Sequence, residues 1–250
     1  MSSDFVFIIP SYNNADWYQH NIKSISKQDL TNWRAIYVDD ASTDNTLKLV
    51  QEYVYRLGLS DKFTYIKNSR KLGPAGSRYQ AYSQTDDNEI CCMLDGDDWL
   101  YGTNVLDILS HYYLAGYNCT YGSYYLYTEK GSWDSRSYFN IDYDNKCKRE
   151  KKYRESSHWI AKHFRTMKSY LIKDIDTNMY LKMDNEWIQV CTDKAEMYYS
   201  MEKPEAKPVK INELIYVYNK TNSVRYPTSF YNSKQMKSYK EKVNNFVLQP

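Results

Sequence analysis

The chain has 250 residues, enough for one domain of ordinary size or a domain with a modest annex, and enough to bury a real core. Its 33 basic and 31 acidic residues leave a net charge of +2, which gives no electrostatic case for nucleic acid as a partner. No apolar run approaches the roughly 18 residues of a membrane span, and no charged and apolar leader opens the chain. The expectation is therefore a soluble, cytoplasmic protein without a transmembrane segment, peripheral membrane contact staying open. The five cysteines, Cys91, Cys92, Cys119, Cys147 and Cys191, form neither a CxxC pair nor zinc-finger spacing and read as reduced, mostly packed thiols.

In chain order, Phe5-Val6-Phe7-Ile8-Ile9 is a continuous apolar run closed by Pro10-Ser11, the pattern of a strand buried on both faces. A helix is predicted from near Asp16, burying Trp17, Ile22 and Ile25. Ala35-Ile36-Tyr37-Val38 predicts a second strand, and it ends in Asp39-Asp40. Ser42 suits an N-cap and Asp44 the first turn of a helix running to about Leu57. Phe63-Thr64-Tyr65-Ile66 makes a third strand, followed by Asn68 and by Gly73-Pro74-Ala75-Gly76-Ser77-Arg78, a loop entering a helix. Then Cys91-Cys92-Met93-Leu94 runs as a strand into Asp95-Gly96-Asp97-Asp98.

Carboxylates so close repel one another and resist burial, so a cation among them is the physical expectation. Hard oxygen ligands suit Mg²⁺ or Mn²⁺, which keep coordination positions for water and phosphate oxygens. Gly96 would let the backbone turn and approach a ligand. An acidic surface turn is the plain alternative. Strand and helix alternate three times before this stretch, which predicts an α/β fold with a mostly parallel sheet and right-handed crossovers. Its switch-point loops would carry Ser11, Asp40, Arg78 and Asp97 together. GxGxxG after the first strand and GxxxxGK[ST] are both absent, so phosphate needs another holder, and a carboxylate-bound cation fits.

Beyond Trp99, Val105 to Leu114 predicts an amphipathic helix and Cys119 to Tyr127 a tyrosine-rich strand. Six cations fall among the nine residues of 146–154, a run that reads either as a solvated loop or as a phosphate contact. Residues 160–175 are expected to be helical, Thr192-Asp193-Lys194-Ala195-Glu196-Met197 opens another helix, and Val209 to Tyr218 alternates as a late strand. His158 and His163 lack a matching cysteine pair, so no structural zinc site is expected.

This order of features resembles the family 2 glycosyltransferases of the GT-A fold. The opening motif is similar to Ile8-Ile9-Pro10-Ser11-Tyr12-Asn13-Asn14, and the second to Val38-Asp39-Asp40-Ala41-Ser42-Thr43-Asp44. Asn68 with Gly73 to Arg78 resembles the family's N..N.G....R segment, and Leu94-Asp95-Gly96-Asp97-Asp98 its DxD segment. The resemblance implies a single GT-A unit over residues 1–250. About 1–115 would form the nucleotide-sugar half and about 116–225 the acceptor and catalytic-base half, with 226–250 a tail.

Residue by residue, the resemblance implies Asp40 facing the donor's nucleobase with Pro10 and Tyr12 in the same pocket. Asp95 and Asp97 would be ribose and metal contacts, Asp98 would complete the metal shell, and Arg78 would steady ribose or diphosphate. Asp193 resembles the catalytic base, although Thr192 stands where many members have Glu or Gly; Asp184 and Glu186 compete for the role. Arg225 is the candidate late diphosphate contact. His163-Phe164-Arg165 either borders the acceptor or supplies a half-buried structural histidine. The implied activity is metal-dependent, inverting hexosyl transfer with Mn²⁺ or Mg²⁺, from a nucleotide-sugar, by default a UDP-sugar, to a glycan, lipid-linked or protein acceptor. A sugar-phosphate nucleotidyltransferase and a non-catalytic nucleotide-sugar or glycan-binding module are the rivals.

Overall fold

A computed structural model describes residues 5–129, 149–154, 159–222 and 234–249. Four parallel strands open the chain: β1 (Phe5–Ser11), β2 (Trp33–Asp39), β3 (Phe63–Lys67) and β4 (Ile90–Met93), side by side as β3-β2-β1-β4. They are joined by α1 (Tyr18–Ser26), α2 (Thr46–Arg56) and α3 (Gly73–Tyr82). The continuous apolar runs are explained by burial on both faces. Phe5, Phe7 and Ile9 enter one core, while Val6 and Ile8 enter the other. A fully buried side chain such as Ile8 stabilises the fold by about 1.5–3 kcal/mol.

The sheet continues from the other edge of β4 as β7-β6-β10-β5. These are β5 (Trp99–Leu100), β6 (Cys119–Tyr127), β7 (Arg165–Lys168) and β10 (Pro208–Asn219). Strand β7 runs antiparallel to both β4 and β6, and β10 parallel to β6. Helix α4 (Val105–Leu114) joins α1 and α2 over one face through Val105, Leu106 and Leu109. Over the other face lie α3 and two later helices, which α5 (Thr177–Tyr180), a short helical turn, precedes in the chain. Those later helices are α6 (Thr192–Glu202), through Met197 and Met201, and α7 (Lys234–Leu248), through Val243 and Val247. A small hairpin, β8 (Lys182–Met183) with β9 (Glu186–Trp187), turns at Asp184 and Asn185, whose φ values of 55° and 63° are those of a two-residue hairpin turn.

Several local expectations change. Residues 160–175 are not helical: Arg165–Lys168 is a central strand, followed by a single 3-10 turn at Ser169–Leu171. Ile160, Phe164, Met167, Leu171 and Ile175 do recur at helical spacing and are all buried, but the gap between β4 and β6 supplies ladder partners that a helix there would leave unpaired. The segment from Gly73 to Arg78 is the first half of α3 rather than a loop. Ser42 does not cap α2, which starts at Thr46; its hydroxyl accepts from the Asn13 N–H, and Asp44 accepts from the Thr46 N–H instead. Among the described residues no helix is long and apolar enough to cross a membrane.

Candidate active site

A cavity of about 290 Å³ opens beyond the carboxyl ends of β1, β2 and β4, where ligands collect in open α/β sheets. One wall comes from Pro10, Tyr12 and Asp40 with Lys71, Gly73 and Pro74. Asp40 is 4% exposed, and its oxygens accept from Asn68 Nδ2 (2.8 Å), Leu72 N (2.7 Å) and Gly73 N (2.8 Å). It thereby fixes the turn into α3. Gly73 has φ +79°, and a Cβ there would lie 2.2 Å from Gln189 Oε1, so no other residue type fits without displacement. Lys71 Nζ sits 3.5 Å from the centroid of the Tyr12 ring, a cation–π contact; burial lowers its pKa while Asp40 pulls it back up.

The floor is the loop after β4. A Cβ on Gly96 would come within 2.8 Å of Ser11 Cβ and Oγ, so glycine is what lets this loop lie against the end of β1. Asp95 and Asp97 both line the cavity. Asp97 Oδ2 accepts from Asn222 Nδ2 at 3.0 Å, and Asp95 Oδ1 accepts from Arg78 Nη1 at 3.2 Å. Asp98 lies elsewhere. Its carboxylate is fully buried, taking the Tyr216 hydroxyl at 2.6 Å and the Asn219 N–H at 2.7 Å, and it does not line the cavity. The sequence reading gives Asp98 a place in a metal shell; in the structure its lone pairs pin β10 to the loop.

The opposite wall brings His163 and Arg165 together with Thr192 and Asp193. Asp193 stands in the first turn of α6, where the helix dipole favours a negative charge. Arg165 Nη1 donates to its Oδ2 at 2.9 Å, and Arg165 is 3% exposed. The His163 ring stacks on Tyr216 and Tyr218, with centroids 4.6 and 5.4 Å away. The competing carboxylates, Asp184 and Glu186, are exposed on the β8–β9 hairpin and do not line the cavity.

Arg78, expected to meet the donor, is buried and lines the cavity, while its fork is held by protein groups. Its Nε faces both Glu196 oxygens at 3.0 Å, Nη1 meets Asp95, and Nη2 donates to Thr192 Oγ1. Burial lowers the Arg78 pKa, but Glu196 and Asp95 outweigh it and the group is raised overall. Burial pushes the Glu196 carboxyl up to about 6 against the pull of Arg78.

Arg225 lies outside the described residues, as do residues 146–148 of the basic run. The rest of that run is structural in part. Arg154 donates to Glu202 and to the carbonyls of Val247 and Gln249, joining α6 to α7, and Lys151 donates to the carbonyls of Lys203 and Pro204.

Among the described residues no three His, Cys, Asp or Glu side chains converge as a ready metal cage. The donor set still suits a divalent ion in kind. Asp95 and Asp97 present hard oxygens to one cavity, and Mg²⁺ is commonly held by one or two carboxylates plus water and substrate phosphate. Sequence reasoning passed over Lys71, Asn222 and Glu196. Only Glu196 carried a signal, lying three residues after Asp193 and so on the same face of a helix.

A mixed sheet whose parallel strands end at such a cavity, with a D-G-D turn as its floor, is the build of the GT-A fold, and the fold comparisons agree. The chain belongs to glycosyl transferase family 2, whose family model matches residues 6–176. Among curated relatives, the poly(ribitol-phosphate) beta-N-acetylglucosaminyltransferase TarS of Staphylococcus aureus strain Mu50 is 33% identical over 98 residues, 38% of this chain and 16% of TarS. Glycosyltransferase GlyG of Streptococcus pneumoniae serotype 4 is 22% identical over 242 residues, 92% of this chain and 75% of GlyG. Among solved structures, S. aureus TarS 1–349 in complex with UDP-GlcNAc superposes with a TM-score of 0.65 at 18% identity, covering 100% of this chain and 67% of that one. A Pyrobaculum calidifontis mannosyltransferase in complex with GDP-Man and Mn²⁺ gives 0.58 at 14% identity, covering 87% and 57%.

Proposed function

We propose that this chain transfers a sugar from a nucleoside-diphosphate sugar, a UDP-sugar by preference, to an acceptor hydroxyl on a glycan, lipid-linked or protein substrate, with inversion at the anomeric carbon. One observation carries the reading: a single cavity joins Asp40 and Tyr12 at one end, Asp95 and Asp97 on the floor, and an ion-paired Asp193 opposite. Residues 1–115 then form the donor half and 116–225 the acceptor and base half.

Asp193 accepts the proton of the acceptor hydroxyl as that oxygen bonds to the anomeric carbon and the bond from that carbon to the diphosphate breaks. Arg165, 2.9 Å away, orients Asp193. Attack from the side opposite the nucleotide inverts the centre without a covalent sugar–enzyme intermediate. Asp95 and Asp97 would hold Mn²⁺ or Mg²⁺, which supplies charge neutralisation to the departing diphosphate. Support for a pyrimidine comes from Asp40. A carboxylate has about four lone-pair directions, and three here are taken by Asn68, Leu72 and Gly73. What is left suits the single imide N–H of uracil better than the two adjacent donors of guanine. The fold neighbour solved with UDP-GlcNAc points the same way.

The test incubates the purified chain with UDP-, GDP- and dTDP-sugars, with Mn²⁺ or with a chelator, and follows melting temperature and nucleotide release. A UDP-sugar should raise the melting temperature only with metal and should release UDP. Asp193→Asn should keep the thermal shift and lose about 10²–10⁴-fold in release. Binding without release by the wild-type chain would make it a sugar-nucleotide-binding module. Full activity in Asp193→Asn would remove Asp193 as the base.

A further inference from the structure

The transfer chemistry above makes no use of Glu196, although it is a fully buried acid near the site. Its side chain is 0% exposed and that of Arg78 is 3% exposed. Taking such a pair out of water is costly, and well-packed apolar side chains of similar volume are often as stable. Fold stability is therefore a weak explanation for keeping it. Geometry is a stronger one. Thr192 immediately precedes Asp193 and Glu196 lies about one helical turn beyond it on α6, so Arg78 grips the base helix on both sides of the base. With its remaining edge the same guanidinium holds Asp95 Oδ1 at 3.2 Å. One planar side chain thus spans from the cavity floor to the helix carrying the base, and a planar fork with fixed donor directions transmits position better than a flexible ammonium would.

We propose that Arg78 and Glu196 are positioning residues that lock the first turn of α6 against the Asp95 loop, setting the separation between the proton acceptor and the bound donor. The assignment rests on the reading of Asp193 as base. Arg78, which also lines the cavity, thereby gains a bracing role.

The test compares wild type, Glu196→Gln and the double variant Arg78→Met/Glu196→Met. Readouts are kcat, KM, UDP affinity with Mn²⁺ by calorimetry, melting temperature, and hydrogen exchange at amides 192–196. In Glu196→Gln, kcat should fall about 10–100-fold, as small misplacements of reacting groups do, with UDP affinity held within about threefold and exchange at amides 192–196 accelerated. The double variant, free of buried charge, should melt close to wild type yet stay slow. Wild-type kcat in Glu196→Gln, or recovered kcat in the double variant, overturns the proposal while the transferase reading stands. If the wild-type chain turns over no donor, the reading fails by itself, and unchanged exchange at 192–196 in Glu196→Gln then overturns the brace independently.

Discussion

The two sides of the cavity are held by different means. The donor wall is stitched by contacts between neighbouring strand–helix units: Asn13 to Ser42, Asn14 to Thr46, and Asp40 to the turn at Leu72 and Gly73. Each bond spans about one βα repeat, so this wall assembles as the sheet does. The base wall is fastened by bonds that cross more than a hundred residues, Arg78 to Glu196, Asp98 to Tyr216 and Asn219, and Asp97 to Asn222. Here the acidic floor is also the anchor. Asp97, assigned to the donor, doubles as a docking point for the second half, beside Asp98, which serves as an anchor.

That contrast can be broken in order of expected effect. Asp97→Asn removes a donor-side charge and an anchor together. It should lower kcat/KM by about 10²–10³-fold, the several kcal/mol of transition-state stabilisation a metal site supplies, and abolish metal-dependent thermal stabilisation by UDP. Asp98→Asn touches only the anchor. An amide can accept from Asn219 N and donate to the Tyr216 oxygen, but the carboxylate's charge is lost from both bonds and the Tyr216 O–H loses its acceptor, so unfolding free energy measured in urea should drop by about 1–3 kcal/mol while UDP affinity stays near wild type.

A smaller effect comes from acid. Because Glu196 is raised to about 6, the folded chain takes up that proton before the unfolded chain does. Through this group, stability rises as pH falls through 6 toward the unfolded carboxylate value, by on the order of 2 kcal/mol, and falls again as pH climbs back. Turnover should go the other way as the brace loses its charge. Subtracting the stability–pH curve of Glu196→Gln from that of wild type isolates the effect, and an identical pair of curves would refute it. Least of all should come from Asp184→Asn with Glu186→Gln. Both residues are exposed on the β8–β9 turn, and the pair should leave kcat within about twofold and stability within about 0.5 kcal/mol.

How far the chain could be read beforehand follows the same division. β1 and β4 were legible because a strand buried on both faces must be apolar throughout, as Phe5-Val6-Phe7-Ile8-Ile9 is. α4 and β6 matched their expected bounds, Val105–Leu114 and Cys119–Tyr127, because the helical stripe and the tyrosine-rich run are local signals. β7 was misread because its identity depends on vacancies beside β4 and β6, which periodicity within residues 160–175 cannot express. The same limit governs the site. Asp40, Asp95 and Asp97 could be placed from strand ends. That Arg78 faces Glu196, or that Asp98 spends its oxygens on β10, depends on partners 118 and 121 residues away.

Strand β7 also sets a timetable for biosynthesis. As the chain leaves the ribosome, β1 to β4 can pair as soon as they emerge, but β6 finds both its sheet neighbours, β7 and β10, only later in translation. Until residue 165 is made, the outer edge of β4 and all of β6 remain open to foreign strands, the stage at which a nascent chain most needs shielding.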